Sequence, residues 1–204
     1  MEQIPGPAKE RLLHLMRILE QAGEGKISSA GIETLTGWAR DTIRKDISWI
    51  DGGECGGNKG YDPAVLVPAV RKALGLDRRR KFCVVGLGRL GSAYLNMQGL
   101  DFGEFELTAG FDSNVNRVEI LKSTVPLYPA YKMAEVITRF GIEIALLCVP
   151  SEAARSVADR LVAAGIQGII NFSTAAITVP PEIAVRNVSI ADELRGLAIR
   201  MKEG

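Results

Sequence analysis

The chain has 204 residues, 47% hydrophobic and 24% charged, an ordinary globular composition that excludes a disordered or collagen-like protein. Its 25 basic and 24 acidic side chains give a net charge of +1, which excludes a broadly polybasic protein. Residues 1–81 carry 14 Lys and Arg against 11 Asp and Glu, whereas residues 82–204 carry 11 against 13, an asymmetry that suits a polyanion-binding N-terminal part. Cys55, Cys83 and Cys148 are scattered, with no CxxC and a single histidine, His14, so no metal site is expected and the thiols should be reduced. The longest apolar run, Ile144 to Pro150, is far short of the ~18 residues a membrane span needs. The N-terminus, MEQIPGPAKE, lacks a signal core, and the expectation is a soluble cytoplasmic protein with no membrane contact.

Leu12, Leu15, Met16 and Leu19 recur at helical spacing before Gly23. Ser28-Ser29 offers an N-cap for a short helix holding Ile32 and Leu35, which stops near Gly37. Ile43, Ile47 and Ile50 then mark one face of a third helix, with Arg40, Arg44 and Ser48 on another face and Lys45 beside them. Residues 52–61 contain five glycines, which suits a hairpin, and a further helix covers Pro63 to Leu74. This order is that of a winged helix-turn-helix, whose second helix of the pair enters a DNA major groove. A generic helical cap with a solvated charged face would share it. The basic run Arg78 to Lys81 reads as a linker or strand entrance more than as a phosphate site.

From Phe82 the texture alternates. Strands are expected at Phe82–Val85, Leu107–Asp112, near Val125, Ile142–Val149, Gly168–Phe172 and Ile183–Val188. Helices are expected from the glycine loop to about Gln98, at Met133–Phe140, Glu152–Ala164 and Ala191–Lys202. Such alternation predicts an α/β fold, a doubly wound parallel sheet with helices on both faces. The expected domains are therefore 1–79, a winged helix, and 80–204, a Rossmann-like domain.

Gly86-Leu87-Gly88-Arg89-Leu90-Gly91 follows the first strand and opens a helix, and Asp112 lies 21 positions beyond Gly91 at the end of the next strand. Gly86 permits the tight turn, Gly88 the approach of a pyrophosphate, and Gly91 close packing of helix on strand. Asp112 is placed to accept hydrogen bonds from the adenosine ribose and to repel a 2′-phosphate, which points to NAD(H). Another adenine nucleotide such as FAD or coenzyme A would use the same loop, and glycines serving packing alone would give the same pattern. Hydride transfer to a carbonyl needs an acid or base beside the nicotinamide. His14 lies in the first helix, Tyr94 lacks a Lys at YxxxK spacing, and no substrate domain follows, so the protein is expected to be a sensor and not an enzyme.

Taken together these residues resemble the Rex family of redox-sensing transcriptional repressors over nearly the whole chain. The likeness rests on Ile43-Arg44-Lys45-Asp46-Ile47-Ser48-Trp49, similar to the family's VRKDLSYF recognition helix, on Gly88 to Ala93, on Val149 to Ala154, and on Ala163 to Phe172. It implies a homodimer that binds palindromic double-stranded operator DNA through its winged helices, exchanges its C-terminal helices, and leaves the operator when NADH closes the dimer. It further implies that Val149-Pro150 and Asn171-Phe172 line the nicotinamide pocket beside Gly86, Gly88, Arg89, Leu90, Gly91 and Asp112, and that Arg40, Arg44, Lys45, Ser48 and Lys59 face DNA.

Several positions depart from the family pattern. A common Tyr is Met97, a strand-ending Asp is Ser189, and Asn-Phe-Ala-Pro reads Asn171-Phe172-Ser173-Thr174. In the family that Tyr and Asp join an Arg of the first helix, Arg17 here, in a polar network. The wing reads Gly57-Asn58-Lys59-Gly60-Tyr61, without the family's arginine and with Glu54 nearby. Two other classes fit the residues less well: an interaction module that has lost DNA binding, and a minimal NAD-dependent oxidoreductase.

Overall fold

The structure, a computed structural model, describes residues 4–21, 25–51, 56–57, 60–96 and 102–202. The chain divides into two compact units, Met1–Arg78 and Arg79–Gly204.

The first unit is built from helices α1 (Gly6–Gln21), α2 (Ser29–Thr36) and α3 (Arg40–Asp51), strands β1 (Gly56–Gly57) and β2 (Gly60–Tyr61), and helix α4 (Pro63–Ala73). Leu12, Leu15, Met16 and Leu19 of α1 are buried against Ile32, Ile43, Ile47, Leu66 and Val70, one apolar residue set drawn from all four helices. Ser28 caps α2 by accepting from the Gly31 amide at 3.1 Å, and Gly37 closes it in the left-handed region at φ +72°. That leaves a three-residue turn before α3, the connection a helix-turn-helix requires. β1 and β2 pair antiparallel, and Tyr61 also exchanges two backbone hydrogen bonds with Ile27, which anchors the hairpin to the segment before α2.

Asp46 of α3 points inward. Arg11 of α1 donates Nε to Asp46 Oδ2 at 2.5 Å and Nη2 to Oδ1 at 2.8 Å. The fork ties α3 to α1, and the carboxylate holds the Arg11 guanidinium above its usual pKa range. Substituting Arg11 by Ala strands a carboxylate whose side chain is 6% exposed, whereas Asp46→Ala leaves an arginine that is 31% exposed and can hydrate. The expected cost is about 3 kcal/mol for Arg11→Ala and about half that for Asp46→Ala, measured by urea unfolding of the first unit's transition.

The second unit carries a six-stranded parallel sheet: β3 (Arg80–Val85), β4 (Phe105–Asp112), β5 (Leu127–Pro129), β6 (Ile144–Leu147), β7 (Gly168–Asn171) and β8 (Ala184–Asn187). Their spatial order is β5-β4-β3-β6-β7-β8. The helices are α5 (Arg89–Asn96), α6 (Val115–Ile120), α7 (Met133–Phe140), α8 (Ser151–Ala163) and α9 (Ile190–Arg200). One sheet face, with Cys83, Val85, Ala145, Leu147 and Ile169, is buried under α7 and α8. On the other face Phe82, Val84 and Leu146 pack with Leu95 of α5.

Several boundaries differ from the sequence reading, and three have a clear local reason. The strand expected at Ile142–Val149 is confined to Ile144–Leu147. Gly141 (φ +64°) ends α7, and the Ile142 amide bonds back to the Ile137 carbonyl at 3.0 Å, so Ile142 is the apolar plug of a helix cap. The first strand starts at Arg80, two residues early, because Arg80 pairs with Glu143 at 3.0 Å and Lys81 donates to the Phe140 carbonyl at 3.1 Å. The strand expected near Val125 lies at Leu127–Pro129. Helix α6 was not expected: Asn114 caps it by accepting from the Arg117 amide. The end of the helix near Gln98 and Met97 itself lie outside the described residues.

Candidate functional site

The chain runs β3, β4, β5 in one direction across the sheet and then returns to place β6 on the other side of β3. Loops leaving the carboxyl ends of β3 and β6 therefore part from each other, and ligands of open α/β sheets bind in the crevice so formed. A cleft of about 500 Å³ lies there, walled by Gly86 and Gly88 after β3, Asp112 and Ser113 after β4, and Val149 and Pro150 after β6. Arg117 of α6 and Arg160 of α8 also line it.

The three glycines of the loop meet three different demands. Gly86 has φ +91°, and a Cβ there would stand 2.6 Å from the Cys148 carbonyl oxygen. A Cβ at Gly91 would run into the Gly86 carbonyl oxygen, so that glycine lets α5 seat on the loop. At Gly88 a Cβ would meet nothing within 4 Å. Nothing inside the chain requires a glycine at this position, which faces the cleft where an anionic ligand would approach the backbone and the start of α5.

Asp112 is 4% exposed and almost fully engaged by protein donors. Its Oδ2 accepts from the Leu87 amide at 2.7 Å and from Arg117 Nη1 at 3.1 Å, and its Oδ1 accepts from the Asn114 amide at 2.8 Å. The carboxylate thus holds the glycine loop onto the end of β4. Cys148 lies in the same cleft, where burial pushes its thiol up to about 11, so it is a protonated wall group and not a nucleophile.

The remaining expected cofactor residues are distributed differently. Arg89 and Leu90 are exposed on the first turn of α5 and are not among the residues that wall the cleft. Asn171 is buried, with Nδ2 donating to the Ala175 carbonyl and to Asn187 Oδ1, both at 2.9 Å, and Oδ1 accepting from the Ser173 amide and hydroxyl. Phe172 packs against Tyr94 at 5.3 Å between ring centroids, on the opposite sheet face from α7 and α8. Ser151 and Thr174 hydroxyls lie 2.7 Å apart, joining the start of α8 to the segment after β7.

In the first unit α3 turns Ile43, Asp46 and Ile47 inward and leaves Arg40, Arg44, Lys45 and Ser48 exposed. Arg40 pairs with Glu33 at 2.6 Å and Arg44 with Asp41 at 3.6 Å, both at the surface. Exposed pairs of this kind are worth roughly 0–1 kcal/mol, so both guanidiniums can exchange a carboxylate for a phosphate or a base edge. Lys59, Asn58 and Glu54 of the wing lie outside the described residues. Sequence reasoning missed Arg11, Arg117 and Arg160; the one available signal was a charged residue, Asp46, at a position on the apolar face marked by Ile43 and Ile47.

A glycine-loop cleft at the switch point of a doubly wound sheet, together with a unit of helix-turn-helix build, defines a nucleotide-binding regulator class. Residues 77–175 match the CoA binding domain family. The chain is 39% identical to the redox-sensing transcriptional repressor Rex of Thermus thermophilus over 211 residues, covering 96% of this chain and 91% of that protein. It is 34% identical to the Rex of Levilactobacillus brevis over 200 residues, covering 96% and 93%. Among solved structures, that of RSP in complex with beta-NAD+ and operator DNA matches with a TM-score of 0.87 at 29% identity, covering all of this chain and 94% of that one. The structure of RSP with beta-NADH matches with a TM-score of 0.82, covering 100% and 96%. The chain belongs to the Rex family of redox-sensing transcriptional repressors.

The glycine geometry separates folding from binding. Gly91→Ala is expected to lower stability by about 2–3 kcal/mol through overpacking, read as a fall in the thermal midpoint. Gly88→Ala should leave stability within about 0.5 kcal/mol of the original while weakening dinucleotide binding at least about tenfold by calorimetric titration.

Proposed function

We propose that this chain is an NAD(H)-responsive repressor that acts on DNA and has no catalytic turnover. The observation that carries the reading is the pairing, in one chain, of a solvent-facing Arg44-Lys45 helix with a dinucleotide-type cleft at a sheet switch point. The relatives are named redox-sensing repressors, and the similar RSP structures hold NAD+ with operator DNA or NADH. These names support carrying the same ligands to this chain. In this reading Gly86, Gly88, Asp112, Val149 and Pro150 bind the dinucleotide, and Arg40, Arg44, Lys45, Ser48 and Lys59 face the DNA. Residues up to about 79 form the DNA-binding domain, and the remainder forms the nucleotide domain. A repressor of bacterial genes works in the cytoplasm. Among the described residues no helix is long and apolar enough to cross a membrane.

An unfinished packing problem supports a dimer. The sheet face under α5 is covered in part, and an apolar groove of about 460 Å³, lined by Phe82, Phe105, Ile144, Leu146, Ile170 and Val185, stays open beside it. In α9, Ile190, Leu194 and Leu197, with Met201 just beyond, repeat at i, i+4, i+7 and i+11 and are 54–74% exposed. A helical stripe without a buried residue and a groove without a lid support exchange of α9 between two copies of the chain. Paired copies would present two α3 helices, the symmetry that a palindromic operator matches.

Redox response requires NADH and NAD to differ in their preference for the DNA-binding arrangement, because a ligand with no preference shifts nothing. The positive nicotinamide ring of NAD and the neutral ring of NADH supply such a difference in a mostly apolar wall.

Fluorescence anisotropy on a palindromic duplex, without nucleotide, with NAD and with NADH, tests the reading. DNA binding that NADH reverses and NAD spares is expected, and indifference to both would sink the redox role. Arg44→Ala should cost about 1–3 kcal/mol of specific DNA affinity. Leu194→Glu with Leu197→Glu should shift the sedimentation of the protein from dimer to monomer.

A further inference from the structure

The carboxylate that ends β4 is the usual barrier to a 2′-phosphorylated dinucleotide, through charge repulsion, and an arginine nearby is the usual means of accepting one. This chain carries both, and they are bonded to each other. Arg117 Nη1 reaches Asp112 Oδ2 at 3.1 Å, with the arginine side chain 46% exposed and the aspartate side chain 5% exposed. One consequence is electrostatic. The buried charge of Asp112 is answered by Arg117 on the cleft side and stabilised by hydrogen bonds from two backbone amides. A second is geometric. A guanidinium has five N–H donors, and the bond to Asp112 takes one, so an exposed Arg117 keeps a fork of donors for a second anion. A third is the lining. Ser113 beside it offers a hydroxyl, and the ionised groups that wall the cleft among the described residues are one carboxylate, Asp112, and two guanidiniums, Arg117 and Arg160. Arg160 is held by donating to the Ala130 carbonyl at 2.6 Å.

We propose that the cleft admits 2′-phosphorylated dinucleotides alongside their 2′-hydroxyl counterparts, and that Arg117 is the residue that binds the 2′-phosphate. The proposal rests on the dinucleotide reading given above and adds a second ligand class to it. Its physical content is that Asp112 acts first as a clamp on the glycine loop and repels phosphate weakly, since its charge is already paired. Arg117 acts as a point of specificity, strengthening binding of the phosphorylated form without a large contribution to the other.

The test is titration of the full-length protein with NADPH and NADH, followed through nicotinamide fluorescence, for the wild type and for Arg117→Met and Arg117→Lys. The proposal expects NADPH to bind the wild type with a Kd within about tenfold of that for NADH. It also expects Arg117→Met to raise the NADPH-to-NADH Kd ratio by about tenfold, the size of one charge-assisted hydrogen bond. Arg117→Lys should restore most of the loss by keeping the charge. Thermal midpoints of both variants identify any loss of folding, and the ratio is unaffected by a fall in active fraction. NADH binding with NADPH excluded, or a ratio unchanged in Arg117→Met, overturns the proposal and leaves the NAD(H) reading standing. Failure of the wild type to bind either dinucleotide overturns the reading and the proposal together.

Discussion

The nucleotide unit depends on a close approach between backbones at the centre of its sheet. Gly86 leaves β3 with a positive φ and presses against the Cys148 carbonyl at the end of β6, where no side chain fits. The adjacent Leu87 amide then bonds to the buried Asp112 at the end of β4. Three strand ends are joined within two residues, and the Cys148 amide adds a bond to the Val85 carbonyl at 2.8 Å. The crevice exists because these ends are fixed while the loops beyond them diverge. Stability and function therefore draw on the same few atoms. The loop that would meet a phosphate is held by these contacts within the chain, and such preorganisation lowers the ordering cost of binding.

The other half of the design is what the second unit leaves uncovered. Its sheet buries one face under α7 and α8 and part of the other under α5, yet an apolar groove and an apolar helix stripe both face solvent. A single copy leaves both apolar surfaces in water, at roughly 25 cal/mol for each Å² that association would bury. In the proposed dimer the missing layer would come from a second copy of the chain. DNA recognition by two α3 helices would then inherit its spacing from that shared layer.

Strongly periodic elements were legible in the sequence. The apolar faces of α1 and α3, the caps at Ser28 and Gly37, the helix over Met133–Phe140 and the glycine loop all appear where pattern and turn chemistry place them. Their signals are local, carried by spacing within one helix or by one residue's backbone preference. What stayed hidden depends on distant partners. Nothing near Asp46 in the chain announces Arg11, 35 residues away, and the bonds of Asp112 to Arg117 and to the Leu87 amide form only after folding. Helix α6 is six residues long, too short for periodicity to register, and Ile142 looked like strand because apolar caps and apolar strands share a composition. The likeness to the family places Phe172 in the nicotinamide pocket, and its packing against Tyr94 is a contact that the sequence did not announce.

The residues that depart from the family pattern have structural work of their own. Ser189, in place of the family's aspartate, caps α9 by accepting from the Asp192 amide at 3.3 Å, while Asp192 pairs with Arg195 inside the helix. Neither side chain is therefore idle, and both act within α9. Ser173 and Thr174, where the family has Ala-Pro, bond to Asn171 and Ser151. Asn171 bonds in turn to Asn187, two residues before the cap of α9. Three side-chain contacts, Ser151–Thr174, Ser173–Asn171 and Asn171–Asn187, thus lie in sequence between the start of α8, beside the cleft wall at Pro150, and the segment that leads into α9, with the peptide chain joining Ser173 to Thr174. Contiguity of this kind fixes geometry, and coupling additionally requires that one element have two arrangements which ligand and DNA prefer differently. The element best suited is α9 itself. It is capped at its root by Ser189, follows directly on the strand that carries Asn187, and leaves its apolar side exposed, so it is the element of this unit least constrained by packing within the chain.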